Sequence, residues 1–568
     1  MTSSSPRIDH RTPLLSSASS IKDSEISDDI DIEDPTQLHQ AVPSVADDVL
    51  PEDAVLSRHL GWYSAYILII SRVIRSGIFA TPGSIVRSVG SIGLSLVLWI
   101  AGAIIAWFGL MVTLEYGCML PRSGGDKVYL EFTYRRPRFL ATVLITISSV
   151  MLGFTASNCI VFAEYVLFAT GRSGITAEIK VIAAALLAGI VIMHSCFLKT
   201  GIVVQNALGY IKIGTILFMI CAGLFAALLH RNSILESTSM ANHSAKTTDQ
   251  GLWFTLWDGS VWNWGVIATS FFKVFYSYAG LHNVNNVMNE VKDPVRTLKS
   301  STQAALLTTC VLYAFINIAY FMVVPLDRIK ESGELIAALF FEQLFGPHLG
   351  RIILPLAVAL SAAGNVMVVT FSHARMIQEI ARQGFLPFQA TLASIKPFNA
   401  PMGALITHFI PSLLVITIPT GDVYSFILEV EGYPAQFFTL ASSFGLLWLR
   451  AEMPDLRRPY RAFIPAVWLR IALSFALLAA PFVPRSGSTW RQHLSSVSYA
   501  FVGTSIITFA VLYWYIRTVF LPRRNGYRLG EAKATLSDGT TVTRLTKVKL
   551  DVSINHASML QAVDPNDV

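Results

Sequence analysis

Charge is scarce in this chain: Asp, Glu, Lys and Arg make up 14% of its 568 residues, against about a quarter in a soluble domain of ordinary usage. That scarcity excludes a multidomain soluble enzyme and a nucleic-acid binder, both of which need a charged surface. Cysteine is scarce as well. The five present (Cys118, Cys159, Cys196, Cys221 and Cys310) are odd in number and lie in or beside apolar segments, which argues against a disulfide framework. Paired nucleophile and base, metal-ligand clusters and phosphate-binding glycine loops are also missing from the sequence. No enzymatic centre, metal or cofactor is expected, and Glu115 and His194 read as structural.

What the chain has in quantity is apolar length. Hydrophobic residues make up 53% of it, and many of their runs reach about 20 residues, the length a helix needs to cross a bilayer. Twelve spans are read, at about 61–88, 92–117, 139–169, 178–197, 202–229, 263–289, 302–324, 349–377, 402–419, 422–449, 463–484 and 497–520. The apolar stretch 332–346 is too short to span and is expected as an amphipathic surface or external helix. Residues 1–56 carry twelve acids and three bases. They read as a disordered acidic tail and not as a signal peptide. A twelve-span domain over 57–521 and a polar C-terminal tail over 522–568 complete the organisation.

The short loops fix the expected orientation. Arg122, Lys127, Arg135, Arg136 and Arg138 follow span 2, Lys292, Arg296 and Lys299 follow span 6, and Arg450, Arg457, Arg458 and Arg461 follow span 10. The opposite loops are poorer in bases, so the even-numbered connections and both tails are expected in the cytoplasm. The single sequon, Asn242-His243-Ser244, then falls outside, where Asn242 could carry a glycan.

Two spans interrupt their own helical pattern. Span 1 contains Val73-Ile74-Arg75-Ser76-Gly77-Ile78-Phe79-Ala80-Thr81-Pro82-Gly83, and span 6 contains Tyr276-Ser277-Tyr278-Ala279-Gly280-Leu281-His282-Asn283. Backbone groups released inside a membrane are tolerated only where they line a cavity or are buried in protein. Broken helices five spans apart are what an inverted 5+5 repeat with a central substrate site requires. Glycine-mediated helix packing is the alternative for either segment taken alone.

These residues resemble a known family. Arg75-Ser76-Gly77-Ile78-Phe79 is similar to the Gly-Ser/Thr-Gly-Ile-Phe motif of the amino acid–polyamine–organocation superfamily. Pro121-Arg122-Ser123-Gly124-Gly125 resembles the first intracellular loop of its L-type amino acid transporter branch. The runs Leu130–Leu140, Ala156-Ser157-Asn158, Glu290–Leu298 and Lys396–Pro401 resemble the fungal high-affinity methionine permeases. The resemblance covers roughly residues 60–485. It implies an all-α polytopic membrane protein of about twelve transmembrane helices, with a LeuT-like 5+5 inverted repeat and broken helices 1 and 6. The implied activity is secondary active, proton-coupled uptake of methionine or another neutral amino acid at the plasma membrane.

The resemblance also implies site residues. The substrate carboxylate would meet Ser76, Gly77 and Ile78, and its ammonium the carbonyls of Val73, Tyr276 and Ala279, with Gly280 in the same break. Tyr276 matches an aromatic that closes over substrate. His282 stands where relatives have Asn, and reads equally as a packing histidine. Lys212, in span 5, matches a lysine able to replace the cation of sodium-driven relatives; coupling and a structural tether are both open. Animal relatives pair through a disulfide with a single-span glycoprotein, but the external cysteine needed is not evident, so no such partner is expected.

One departure stands out. Arg75 replaces the family glycine beside the carboxylate site. It could clamp a carboxylate, pair with an acid, or block the site and leave an amino acid sensor with little transport. Lys273 in span 6 and Glu429 and Glu431 in span 10 are further charges at positions expected to be neutral, and are candidate partners across the cavity. The sensor is therefore the competing reading.

Overall fold

The computed structural model describes residues 60–75, 77–172, 176–229, 256–394, 398, 400–417, 423–483, 490–535 and 541–549. Ser76, Asn242 and the 1–56 tail lie outside the described residues. The described chain is a helical bundle. Seven of its helical segments are long and apolar enough to cross a membrane: Ile92–Met119, Leu140–Ala169, Thr176–Cys196, Pro294–Val323, Leu349–Arg382, Ile464–Phe482 and Val497–Asn525. Their outer faces carry exposed Ile100, Val181, Leu307 and Phe475, an apolar exterior suited to lipid.

Span 1 is two helices, α1 (Trp62–Val73) and α2 (Gly77–Val89). Pro82 sits inside α2 and has no amide to give Ile78; the Tyr320 hydroxyl donates to the Ile78 carbonyl instead, at 3.3 Å. Helix α3 (Ile92–Met119) starts where Ser91 accepts from the Leu94 amide, an N-cap that satisfies one orphan donor. The helix α4 (Asp126–Thr133) precedes a span 3 that is itself broken, into α5 (Leu140–Leu152) and α6 (Ala156–Ala169). That second break was not anticipated. A Cβ at Gly153 would stand 2.4 Å from Nδ1 of His373, so the chain passes close under that imidazole. Then come α7 (Thr176–Cys196) and α8 (Leu198–Leu229).

Span 6 holds α9 (Trp264–Tyr278), a break over Ala279–His282, and a 3-10 turn over Asn283–Glu290 in place of a second α-helix. Next are α10 (Pro294–Val323), the short α11 (Leu326–Ser332) and α12 (Ile336–His348). Of the amphipathic surface or external helix expected near 332–346, the surface reading is corrected by α12. Ile336, Ala337, Ala338, Phe340 and Phe341 are fully buried, because α12 packs among α2, α10 and the following helix. The remaining helices are α13 (Leu354–Arg382), α14 (Gln389–Ala393), α15 (Met402–Thr417), α16 (Val423–Glu452), α17 (Ile464–Ala479), α18 (Trp490–Trp514) and α19 (Leu521–Asn525). The expected polar tail contains an antiparallel hairpin, β1 (Tyr527–Thr535) with β2 (Thr541–Lys549). Its Leu545 amide donates to the Gln383 carbonyl at 3.1 Å.

Glu115, near the end of α3, is wholly buried and is the centre of a charge knot. Its carboxylate takes both Nε and Nη2 of Arg450 and, at 2.7 Å, the Ala462 amide; Arg458 Nε stands 3.6 Å away. Arg450 also donates to the Ala462 carbonyl at 2.8 Å, and Arg458 to the carbonyls of Leu449 and Met453. One acid thus ties α3 to the end of α16 and to the start of α17. Removing one partner of a buried pair leaves the other uncompensated and costs roughly 3–5 kcal/mol. A purified Glu115→Gln protein is expected to melt at a clearly lower temperature than its parent in the same detergent. An unchanged melting temperature would show that the knot is dispensable.

Candidate functional site

The two interruptions face each other. A Cβ on Gly77 would stand 3.0 Å from Ser277 Oγ, 3.3 Å from Tyr276 Cδ1 and 3.4 Å from Ser277 Cα. Gly77 is therefore the point where α2 packs tightly against the end of α9, and a side chain there would need its neighbours to give way. Gly280 has φ +107°, and a Cβ there would meet Arg72 Cγ at 2.8 Å. Both the conformation and the close approach call for glycine. Val73, Ile78 and Tyr276 are buried, and His282 is exposed beside the break.

Carbonyls at the broken ends have donors within the protein. The Tyr313 hydroxyl, from α10, lies 3.2 Å from the Val73 carbonyl and 2.8 Å from that of Ser277. The Tyr276 carbonyl accepts from the Ala279 amide at 3.3 Å. Arg75 donates from Nε to the Arg72 carbonyl at 3.0 Å and from Nη2 to the Ala279 carbonyl at 3.2 Å. Its guanidinium carbon lies 5.7 Å from the centroid of the Tyr276 ring, within cation–π range. Tyr276 is itself placed by α6: its hydroxyl is 3.2 Å from Ser157 Oγ and 3.4 Å from Asn158 Nδ2. The three carbonyls assigned to a ligand ammonium are thus engaged, and Arg75 holds one of them.

The charges nearest the break are mostly positive. Arg72, Arg75 and Lys212 interact electrostatically with one another, and Glu431 of α16 interacts with both arginines. Lys212 is buried on α8. One turn before it, Leu208 packs so close to α13 that a Cβ on Gly364 would be 2.8 Å from Leu208 Cβ. The span 5 lysine accordingly lies beside span 8 and within the field of the span 1 arginines. Lys273 donates to Ser88 Oγ at 3.0 Å and to the Ser84 carbonyl at 3.5 Å. Glu429 and Glu431 are half-buried. Sequence reasoning gave no role to Arg72 or to Tyr313. A tyrosine in an apolar span carries no motif, and Arg72 reads as the last cation of an ordinary helix turn. Among the described residues no group of histidines, cysteines and acids could hold a metal ion.

Comparison with known proteins identifies the setting of this site. A family model described as amino acid permease matches residues 60–512. The low-affinity methionine permease of Saccharomyces cerevisiae is 32% identical over 497 residues, which cover 86% of this chain and 88% of that permease. The high-affinity methionine permease of the same yeast is 33% identical over 497 residues, 86% of this chain and 84% of its own. The b(0,+)-type amino acid transporter 1 of Mus musculus is 27% identical over 464 residues, 81% of this chain and 89% of its own. These relatives are permeases and transporters, not enzymes.

The left-handed conformation and close packing at Gly280 give a direct test of the site's rigidity. Gly280→Ala is expected to cost about 1–3 kcal/mol, the usual range for a side chain held in a sparsely populated backbone region. A thermal melt of the purified variant reads that cost. An unchanged melting temperature would mean that the break relaxes without strain.

Proposed function

We propose, for a chain that belongs to the amino acid permease family, that it takes up methionine or another neutral amino acid with a proton, by alternating access. Family membership and the long apolar helices make it a multi-pass membrane protein whose transported class is amino acids. The finer reading is ours: twelve spans in a LeuT-like 5+5 repeat, a plasma-membrane location with cytoplasmic termini, and no disulfide-linked partner. The observation that carries it is the contact of the two helix breaks at Gly77 and Ser277.

The chemistry of the breaks supports the reading. The start of α2 presents amides and the positive end of a helix dipole, which suits a carboxylate. The ends of α1 and α9 present carbonyls and negative dipole ends, which suit a cation. A site built mainly from backbone reads the substrate side chain by shape, and this agrees with an apolar neutral substrate. The two yeast relatives named as methionine permeases support methionine in particular. One observation favours the competing sensor: the Arg75 bond to the Ala279 carbonyl crosses between the broken spans.

Uptake of a labelled amino acid panel, with and without a protonophore, separates these readings. Methionine uptake that collapses with the proton gradient is the expected result; binding without uptake would leave the sensor. Gly77→Val is expected to abolish methionine binding, since the added bulk would enter space shared with Ser277. Unchanged affinity in a folded Gly77→Val protein would move the site elsewhere.

Lys212 is assigned the coupling role. Its buried ammonium lies next to α13 and within the field of Arg72 and Arg75, where its charge biases the packing of span 5 against spans 1 and 8. Lys212→Met keeps the stem and removes the charge. Binding should persist, initial uptake should fall strongly and the response to external pH should flatten, because a mutation that shifts the balance of states slows a cycle without touching the ligand contacts. Wild-type uptake and pH response in this variant would reduce Lys212 to a tether.

A further inference from the structure

Arg75 does more than depart from a motif. Its guanidinium joins the C-terminal ends of two half-helices, taking the Arg72 carbonyl at the end of α1 and the Ala279 carbonyl just past α9. Those ends carry partial negative charge, so a fixed cation there is favourable. The cation is also fixed in place. Tyr276 lies beneath the guanidinium, and that ring is held in turn by Ser157 and Asn158. A ligand ammonium arriving at the Ala279 carbonyl meets a charged, forked donor already bonded to it.

The surrounding field acts in the same direction. Arg72, Arg75 and Lys212 interact with one another at the break, and Glu431 interacts with both arginines. A second ammonium gains little there, and a carboxylate is favoured. The amide end of α2, beginning at the tightly packed Gly77, is left as the face that a carboxylate can use.

We infer that Arg75 is a built-in occupant of the ammonium seat, so that this chain selects its ligand by the carboxylate and side chain and accepts carboxylates that lack an α-ammonium group. The class comprises 2-hydroxy and 2-oxo acids with the same apolar side chain as the amino acid substrate. The inference rests on the assignment of the facing helix breaks as the amino acid site. It makes Arg75 a specificity-determining residue whose effect is read in a ratio between ligands. A defect in folding or expression alters all ligands alike and cancels from that ratio.

The test uses purified full-length protein with methionine and its 2-hydroxy and 2-oxo analogues, which share carboxylate and side chain and differ only at the α substituent. Affinities are measured for the wild type, Arg75→Gly and Arg75→Lys. In the wild type the three ligands are expected to bind within about threefold of one another, a difference well under 1 kcal/mol. In Arg75→Gly the Ala279 carbonyl is released, and methionine should be preferred over both analogues by about tenfold or more, the size of one charge-assisted hydrogen bond. Arg75→Lys keeps the cation without the fork and should fall between; it carries the test if the glycine variant does not fold. A wild type that rejects both analogues by tenfold or more, or a ratio unchanged in both variants, would overturn the inference while leaving the amino acid site standing. Failure of all three ligands to bind the wild type would overturn the methionine reading itself, and the inference with it.

Discussion

Breaking a helix inside a membrane releases carbonyls that no water can satisfy, and the architecture around spans 1 and 6 is organised by that constraint. An unpaired carbonyl in hydrocarbon costs several kcal/mol. Here the donors are tyrosines and one arginine. Tyr313 covers Val73 and Ser277, Tyr320 covers the Ile78 carbonyl orphaned by Pro82, and Tyr165 reaches both Phe79 and Glu334 at 3.0 Å. Each phenol is a rigid apolar ring with one polar tip, so it can pack in a bundle and still deliver a proton to a carbonyl. Phe340, from the buried helix α12, meets the Tyr320 ring edge-on at 5.5 Å. The short helix is therefore part of the support for the span 1 break.

A second set of bonds holds the far ends of the same spans. The Lys292 amide donates to the Leu60 carbonyl at 2.8 Å, joining the entrance of α1 to the chain leading into α10. The Glu115 knot does the equivalent for α3, α16 and α17. Between these anchors the helices near the breaks meet through small residues: Gly77 against Ser277, Gly102 against Val274 and Gly364 against Leu208. Small-residue contacts let backbones approach closely where lipid offers no hydrophobic drive for association.

Much of this was legible in the sequence, for physical reasons that differ from element to element. The breaks at 74–75 and 279–282 announce themselves because glycine and small polar residues interrupt long apolar runs. The buried Lys212 is legible because a charge inside a span is expensive and therefore conspicuous. The break at 153–155 is not legible: the close neighbour of Gly153, the His373 imidazole, comes from a span far away in sequence. Helix α12 was misjudged because length and hydropathy cannot distinguish a short helix lying on a bundle from one buried inside it. The hairpin at 527–549 alternates weakly and carries many charges, so it reads as a tail; its pairing and the Leu545 contact with Gln383 supply what the pattern lacks. The partners of Glu115 and of Tyr276 are tertiary facts with no local signature.

Arg75 ties the carbonyl constraint to the question of movement. Its bond to the Arg72 carbonyl stays within span 1 and is insensitive to how spans 1 and 6 sit against each other. Its bond to the Ala279 carbonyl crosses between them. Any rearrangement that slides one broken span past the other must stretch the second bond and can keep the first. The guanidinium also lies over Tyr276, whose hydroxyl meets Ser157 and Asn158 on α6. The same side chain that satisfies a released carbonyl in this arrangement is therefore the one whose contacts must be replaced in another; Glu431 interacts with it electrostatically. In a two-state cycle a contact made in only one state sets the balance between states. Arg75 thus bears on how the two broken helices sit against each other as well as on the carbonyls between them, and both follow from a single hydrogen bond.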